Sequence, residues 1–181
     1  MEISIAYLRF FCQFKQFGLY YEDMRIIGID PGIGRTGWGI VDVEKGKLIV
    51  QKYGCIETFK DQSVGDRLLI LYKTLEKILD EAKPDAFAIE ELFFNTNTTT
   101  ALVVGQARGV AFLTAAQRAI PISVYTPSQI KIAVTGYGKA DKNQVGQMVK
   151  TLLALKSIPK PDDTADALAI AITHAFSYKM K

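Results

Sequence analysis

The order of predicted strands and helices constrains the fold of this 181-residue chain more than any other feature. Hydrophobic periodicity predicts three strands before the first helix, and a helix between each later pair of strands. Strands joined by short turns pair antiparallel, whereas strands joined through a helix run parallel. The predicted strands cover residues 25–29, 36–43, 48–59, 86–89 and 122–125, and the helices about 64–81, 98–118, 127–134, 142–155 and 162–178. We therefore expect an α/β fold with a five-stranded mixed sheet and helices on both faces.

The first 23 residues do not fit this pattern. Their apolar stretch is interrupted by charged and amide side chains, has no basic start and lacks a small-residue cleavage site, so it makes a poor signal peptide. Met24 directly precedes the first strand. We expect residues 1–23 to be an extension outside the fold and residues 24–181 to form one domain. Since no apolar run reaches the roughly 18 to 20 residues of a membrane helix, we also expect a soluble protein that does not contact a membrane.

Few residues are available for nitrogen or sulfur chemistry. The chain contains two cysteines, Cys12 and Cys55, and one histidine, His174. These cannot form a four-ligand zinc site or a disulfide framework, which favours a reducing, cytoplasmic setting. His174 lies in an apolar helical stretch and is expected to be a packed structural histidine. Carboxylates and lysines remain as the abundant reactive groups.

Four acidic residues occupy positions that such a fold would bring together. Asp30 ends the first strand and Glu90 the fourth, and the ends of neighbouring parallel strands open onto one edge of a sheet. Asp163 and Asp166 are three residues apart, so they share one face of the last helix. Four clustered carboxylates repel each other unless cations neutralise them. Oxygen ligands suit Mg²⁺ or Mn²⁺, and a pair of such ions could hydrolyse a phosphodiester by activating water and stabilising the leaving oxygen.

Each acidic residue also has an ordinary structural interpretation. Asp30, before Pro31 and Gly32, could be an Asx-type turn residue, and Glu90 could be a solvated strand end. Asp163 could cap or begin a helix, where the helix dipole favours acidic residues. Asp166 is harder to explain in this way, because it lies in an Ala- and Leu-rich helix where an isolated buried carboxylate is costly.

A glycine pattern suggests a different site. Residues 32–37 match G-x-G-x-x-G, and Glu57 follows about 20 residues later, as in dinucleotide-binding domains. That mechanism requires a helix directly after the glycines. The segment that follows is instead predicted to be a strand, so we do not expect nucleotide binding. The glycines are more plausible as places where backbone and phosphate approach closely.

Six segments in order resemble the RuvC family of Holliday-junction resolvases. They read IGIDPG at 27–32, AIE at 88–90, GQARGV at 105–110, TP at 126–127, TGYG at 135–138 and DTADALA at 163–169. The resemblance covers about residues 24–178. It implies an RNase H-like fold, a homodimer, and Mg²⁺-dependent paired nicking of opposed strands in four-way DNA junctions during recombination and repair, with two metal ions per subunit. It assigns metal binding to the same four acidic residues: Asp30, Glu90, Asp163 and Asp166.

The resemblance also gives roles to basic and aromatic residues. Lys131 and Lys142 would hold the scissile phosphate, and Lys139, beside a glycine-rich segment, would contact the DNA backbone. Phe93 could stack on an unpaired base or could be a core aromatic residue. Glycines and alanines of the 98–118 helix leave room for close helix contact, either within the subunit or across a dimer. Branch-migration motor proteins are possible partners by family resemblance.

Two other functions compete with nuclease activity. A junction-binding protein that has lost cleavage would have replaced one of the four acidic positions, and none is replaced. A sugar-kinase or chaperone-like ATPase shares the glycine-containing strand turn around Asp30, but it needs two such domains. This chain is too short for two.

Overall fold

The computed structural model describes residues 23–92 and 98–177. The strands are β1 Met24–Asp30, β2 Arg35–Glu44, β3 Lys47–Glu57, β4 Ala86–Glu90 and β5 Ile122–Tyr125; the helices are α1 Val64–Ala82, α2 Thr98–Ala116, α3 Pro127–Thr135, α4 Lys142–Leu152 and α5 Asp162–Ser177. Of the predicted extension over 1–23, only Asp23 is described, and its carboxylate accepts a hydrogen bond from the Lys45 backbone. The rest of the predicted extension, residues 1–22, lies outside the described residues, and β1 begins at Met24.

The strands form one sheet in the order β3-β2-β1-β4-β5. β1, β2 and β3 pair antiparallel, and β1, β4 and β5 run parallel to one another. The expected five-stranded mixed sheet is confirmed. The carboxyl ends of β1 and β4 lie side by side, because Ile29 pairs with Ile89 in the parallel register.

Each face of the sheet carries its own hydrophobic core. Alternation along β1 places Ile26 on one face and Ile27 on the other. On the Ile27 face, α1 and α2 contribute Leu75 and Ala111. On the Ile26 face, α3, α4 and α5 pack, which confirms that helices cover both faces.

His174 belongs to the core of the Ile26 face. It is buried, and its Nδ1 lies 2.9 Å from the Tyr125 hydroxyl oxygen. The expectation of a packed structural histidine is confirmed. In the described part of the chain, none of the helices is long and apolar enough to cross a lipid bilayer.

Glycines on β1 and β2 let α5 approach the sheet closely. A Cβ atom at Gly28 would lie 2.1 Å from the carbonyl oxygen of Ala167, and one at Gly37 would lie 1.9 Å from that of Asp163. Both distances are shorter than any tolerated contact, so only glycine fits at these two positions. The helix that carries two of the four acidic residues is thereby held directly against the strands beside the third.

Three elements end earlier than hydrophobic periodicity predicts. β3 stops at Glu57 because Thr58 leaves the ladder, and its backbone N–H donates to the Gly34 carbonyl over 3.0 Å. α2 stops at Ala116 and α4 at Leu152, and each is followed within three residues by a left-handed alanine, Ala119 or Ala154. A left-handed residue cannot continue a right-handed helix.

Candidate active site

Two of the acidic residues meet at the end of the sheet. Asp30 is the last residue of β1 and Glu90 the last of β4, on adjacent parallel strands. The turn after Asp30 is closed by Thr36, whose hydroxyl donates to the Gly32 carbonyl over 2.6 Å. Because this hydrogen bond from Thr36 closes the turn, the Asp30 carboxylate is available to the site.

The first turn of α5 brings the other two acidic residues to the same place. Gly37 pairs with Asp30 in the antiparallel register, and the backbone of Asp163 lies directly over Gly37. Asp166 follows one turn later on the same helix. Asp163 therefore also occupies the first-turn position that the helix dipole favours, so its structural and functional interpretations are compatible.

The electrostatics of the site show that the charges of Glu90, Asp166 and Asp163 reach Asp30. Burial, followed by the negative charges of neighbouring acidic residues, raises the pKa of Asp30 to about 8. In order of effect, those neighbours are Glu90, Asp166 and Asp163. Burial also raises the pKa of Glu90, and the charge of Asp166 raises it further. Near neutral pH and without an added cation, Asp30 is therefore mostly protonated.

Two cations of the chain itself face the helix acids. The Lys142 ammonium lies 2.9 Å from an Asp166 carboxylate oxygen, and the Arg35 guanidinium lies 3.5 Å from one of Asp163. The hydrogen bond to Asp166 raises the pKa of Lys142. Within residues 23–92 and 98–177, no three Asp, Glu, His or Cys side chains are already arranged to hold a metal ion. The acidic residues are thus near enough to influence the pKa of Asp30, and two of them are paired with basic partners.

The predicted DNA-binding residues lie at different distances from the acidic residues. Lys131, on α3, is close enough that its charge partly offsets the rise in the pKa of Glu90. Lys139 is exposed in the segment between α3 and α4, and its ammonium makes no ion pair with a described residue. Phe93 lies outside the described residues, so its two interpretations stay open.

Two arginines that the sequence did not single out also belong to the site. Arg35 lies within the misleading glycine pattern and pairs with Asp163. Arg108, on α2, donates to the backbone carbonyl of Glu90, and its guanidinium lies 4.9 Å from the centre of the Phe112 ring. Arg108 thus ties the end of β4 to α2. The only available signal was its place in the GQARGV segment.

Comparisons with known proteins agree with this arrangement. A sequence model of the family described as crossover junction endodeoxyribonuclease RuvC matches residues 26–174. RuvC of Ruminiclostridium cellulolyticum is 55% identical over 157 residues, which are 87% of this chain and 95% of that protein. RuvC of Alkaliphilus metalliredigens is 56% identical over 154 residues, which are 85% and 94%.

Solved structures give the same result. The Thermus thermophilus RuvC structure superimposes with a TM-score of 0.81 at 38% identity, and it covers 87% of this chain and 96% of its own. T. thermophilus RuvC in complex with Holliday junction substrate gives 0.83 at 37% identity, with the same coverage. The expected RNase H-like fold is confirmed. Because the family model matches residues 26–174 and a relative is 55% identical over 87% of the chain, the chain belongs to the RuvC family of crossover junction endodeoxyribonucleases.

Proposed function

We propose that this protein resolves four-way DNA junctions by metal-dependent nicking of two opposed strands during recombination and repair. The observation that supports the proposal is that, in addition to burial, Glu90 of β4 and Asp166 and Asp163 of α5 all raise the pKa of Asp30 at the end of β1. The T. thermophilus RuvC relative was solved in complex with a Holliday junction substrate. We place the activity in the cytoplasm, with branch-migration motor proteins as possible partners.

The donor chemistry of the site fits Mg²⁺. All four side chains offer only carboxylate oxygens, which are the ligands of hard divalent cations. Burial and the neighbouring negative charges raise the pKa of Asp30 to about 8, and a bound cation would favour its ionised form. We propose that the four acidic residues hold two Mg²⁺ ions per subunit, with Mn²⁺ able to substitute. Bound there, the ions would supply an activated water and charge stabilisation at the leaving oxygen.

The chain's own cations would hold the DNA strand. Lys142 and Lys131 flank the carboxylates, where an ammonium can bind the scissile phosphate and stabilise charge that develops on it. Lys142 can do this once Asp166 has another cation as its partner. Lys139, farther out, is placed to contact a neighbouring phosphate, and base stacking by Phe93 stays a prediction.

A cleavage assay with and without divalent metal tests the proposal. End-labelled four-way junctions and matched linear duplexes are incubated with the protein in Mg²⁺, in Mn²⁺ or in chelator. We expect paired nicks in opposed strands of the junction only when metal is present, and no cutting of the duplex. Junction binding without nicks under any metal or pH condition would reject the enzyme and favour a junction-binding protein instead.

One exposed face of α2 supports the proposed homodimer. Leu102 and Leu113 are 68% and 54% exposed, and a Cβ atom at Gly105 or Gly109 would meet nothing within 4 Å. The room that these glycines leave is therefore not filled within the subunit. A second copy related by a two-fold axis can fill it, and such a dimer presents two identical sites to the two equivalent strands of a junction.

Introducing glutamate at Gly109 is expected to convert the dimer to a monomer. The new side chain places charge and bulk in the middle of the apolar face. Because replacing a helical glycine stabilises the helix itself by about 0.5 to 1 kcal/mol, loss of the dimer would not be caused by a weaker helix. Sedimentation at micromolar concentration gives the mass, and circular dichroism checks the fold. Gly65→Glu, at an exposed position in the first turn of α1, is the control and should remain dimeric. A dimeric Gly109→Glu variant would place the interface elsewhere.

A further inference from the structure

The connection between α3 and α4 carries an exposed aromatic residue that the catalytic site does not use. Tyr137 is 57% exposed and Ile132, on α3, is 53% exposed. The Ile132 side chain lies beside the backbone of this connection, because it packs 3.2 Å from the position that a Cβ of Gly138 would take. Single exposed apolar residues are common on protein surfaces, but two on one short segment indicate an interaction site.

The backbone around Tyr137 is held firmly by the fold. The Thr135 hydroxyl donates to the Lys131 carbonyl over 2.7 Å and accepts from the Tyr137 N–H over 3.1 Å. Gly136 adopts a left-handed conformation with φ of 76°, and its N–H donates to the Ile132 carbonyl. The Tyr137 carbonyl accepts from the Ala140 N–H over 3.1 Å. The ring is therefore presented from a fixed backbone, so little backbone entropy is lost when it binds a partner.

Positive charge surrounds this ring and connects it to the catalytic carboxylates. Lys139 is exposed two residues after Tyr137, and Lys142 begins α4 with its ammonium 2.9 Å from Asp166. Lys131 lies in the middle of α3, and its charge partly offsets the rise in the pKa of Glu90. The exposed ring thus lies in a basic segment that begins and ends beside the active site.

We propose that Tyr137 stacks on a base of the bound DNA, next to the strand held at the carboxylates, while Lys139 contacts the adjacent phosphate. The inference rests on the proposed junction cleavage and adds a second contact to it. Lysines interleaved with an exposed aromatic residue match a polynucleotide, because the ammonium groups bind phosphates and the ring binds the flat face of any base. The branch point of a four-way junction is where a base can most easily leave its stack.

Substitutions at Tyr137 separate stacking from simple apolar contact. Junction affinity is measured by fluorescence anisotropy in chelator, where nothing is cut. We expect Tyr137→Ala to raise the dissociation constant about tenfold, within the range known for base–aromatic stacking. Tyr137→Phe should bind within about twofold of the original protein, because it keeps the ring. Tyr137→Leu should behave like Tyr137→Ala, because it keeps apolar bulk without a flat ring.

Salt dependence provides an independent readout. Tyr137→Ala should leave the slope of log affinity against log salt unchanged, whereas Lys139→Gln should reduce that slope by about one. The thermal midpoint of each variant should match the original protein, because both side chains are exposed. The fluorescence of a base analogue such as 2-aminopurine at the branch point should be quenched when the original protein or Tyr137→Phe binds, and not when Tyr137→Ala or Tyr137→Leu binds.

Three results would overturn the inference. Tyr137→Ala could bind as tightly as the original protein, Tyr137→Leu could bind as tightly as Tyr137→Phe, or Tyr137→Ala could lower the thermal midpoint. In each of these cases an original protein that still cuts junctions leaves the proposed function standing. If instead the original protein binds junctions and never cuts them, the proposed function fails, and the affinities of the Tyr137 variants still decide the stacking contact.

Discussion

Replacing Asp166 with asparagine is expected to abolish junction cleavage while junction binding is retained. Asparagine has the same size as aspartate, so the packing of α5 on the sheet is preserved. The substitution removes a charge from the centre of the carboxylate cluster, where Asp166 raises the pKa of both Asp30 and Glu90. A metal site contributes several kcal/mol to transition-state stabilisation, so we expect a loss of about a thousandfold or more in single-turnover rate.

Asp162 provides the matched control for this experiment. It lies four residues earlier on α5, is exposed, and pairs with Lys160 at 2.8 Å rather than with the cluster. Asp162→Asn makes the same chemical change on the same helix and should cut at close to the original rate. Cleavage by Asp166→Asn at the original rate would remove Asp166 from the proposed site. Equal loss in both variants would point to a general effect of helix charge instead.

The second large effect is expected from Gly37→Ala. The added methyl group would lie 1.9 Å from the Asp163 carbonyl oxygen and 2.4 Å from its carbon, and neither backbone atom belongs to a flexible side chain. Alanine ordinarily suits a strand better than glycine, so any loss of stability reports the clash. We expect the free energy of unfolding to fall by about 3 kcal/mol and the thermal midpoint by roughly 6 to 12 °C.

Urea denaturation of Gly37→Ala and Gly34→Ala tests this expectation. Gly34 lies three residues away, and a methyl group there would meet only the Arg67 guanidinium at 3.6 Å, an ordinary contact. Gly34→Ala should change stability by no more than about 0.5 kcal/mol. The folded fraction of Gly37→Ala should also cut more slowly, because relief of the clash displaces Asp163. Equal stabilities of the two variants would show that α5 does not depend on Gly37.

The element order was sufficient to predict a five-stranded mixed sheet with Asp30 and Glu90 at strand ends. Short turns between the first strands and helices between the later ones predicted the pairing directions that the structure has. The adjacency of the two strand ends that carry Asp30 and Glu90 then followed from the parallel pairing of β1 with β4. The glycine pattern at 32–37 was also correctly set aside as a nucleotide loop, because strand β2 begins at Arg35 and no helix follows it.

The ion pairs of the site could not be predicted in the same way. Lys142 and Asp166 are separated by 24 residues, and Arg35 and Asp163 by 128, so their pairing depends on how α4 and α5 pack on the sheet. The ends of β3 and α2 were also missed. They depend on tertiary hydrogen bonds and on left-handed residues, which hydrophobic periodicity does not reveal.

The pairing of Asp163 with Arg35 and of Asp166 with Lys142 bears on the order of folding and metal loading. Small zinc domains stay unfolded until their metal arrives, because the ion supplies the energy that their cores lack. Here Arg35 and Lys142 neutralise the two acidic residues that they pair with on α5, and the fold rests on two extensive hydrophobic cores. If the proposed metal site is correct, loading would therefore exchange one positive partner for another, because Lys142 and Arg35 already neutralise Asp166 and Asp163.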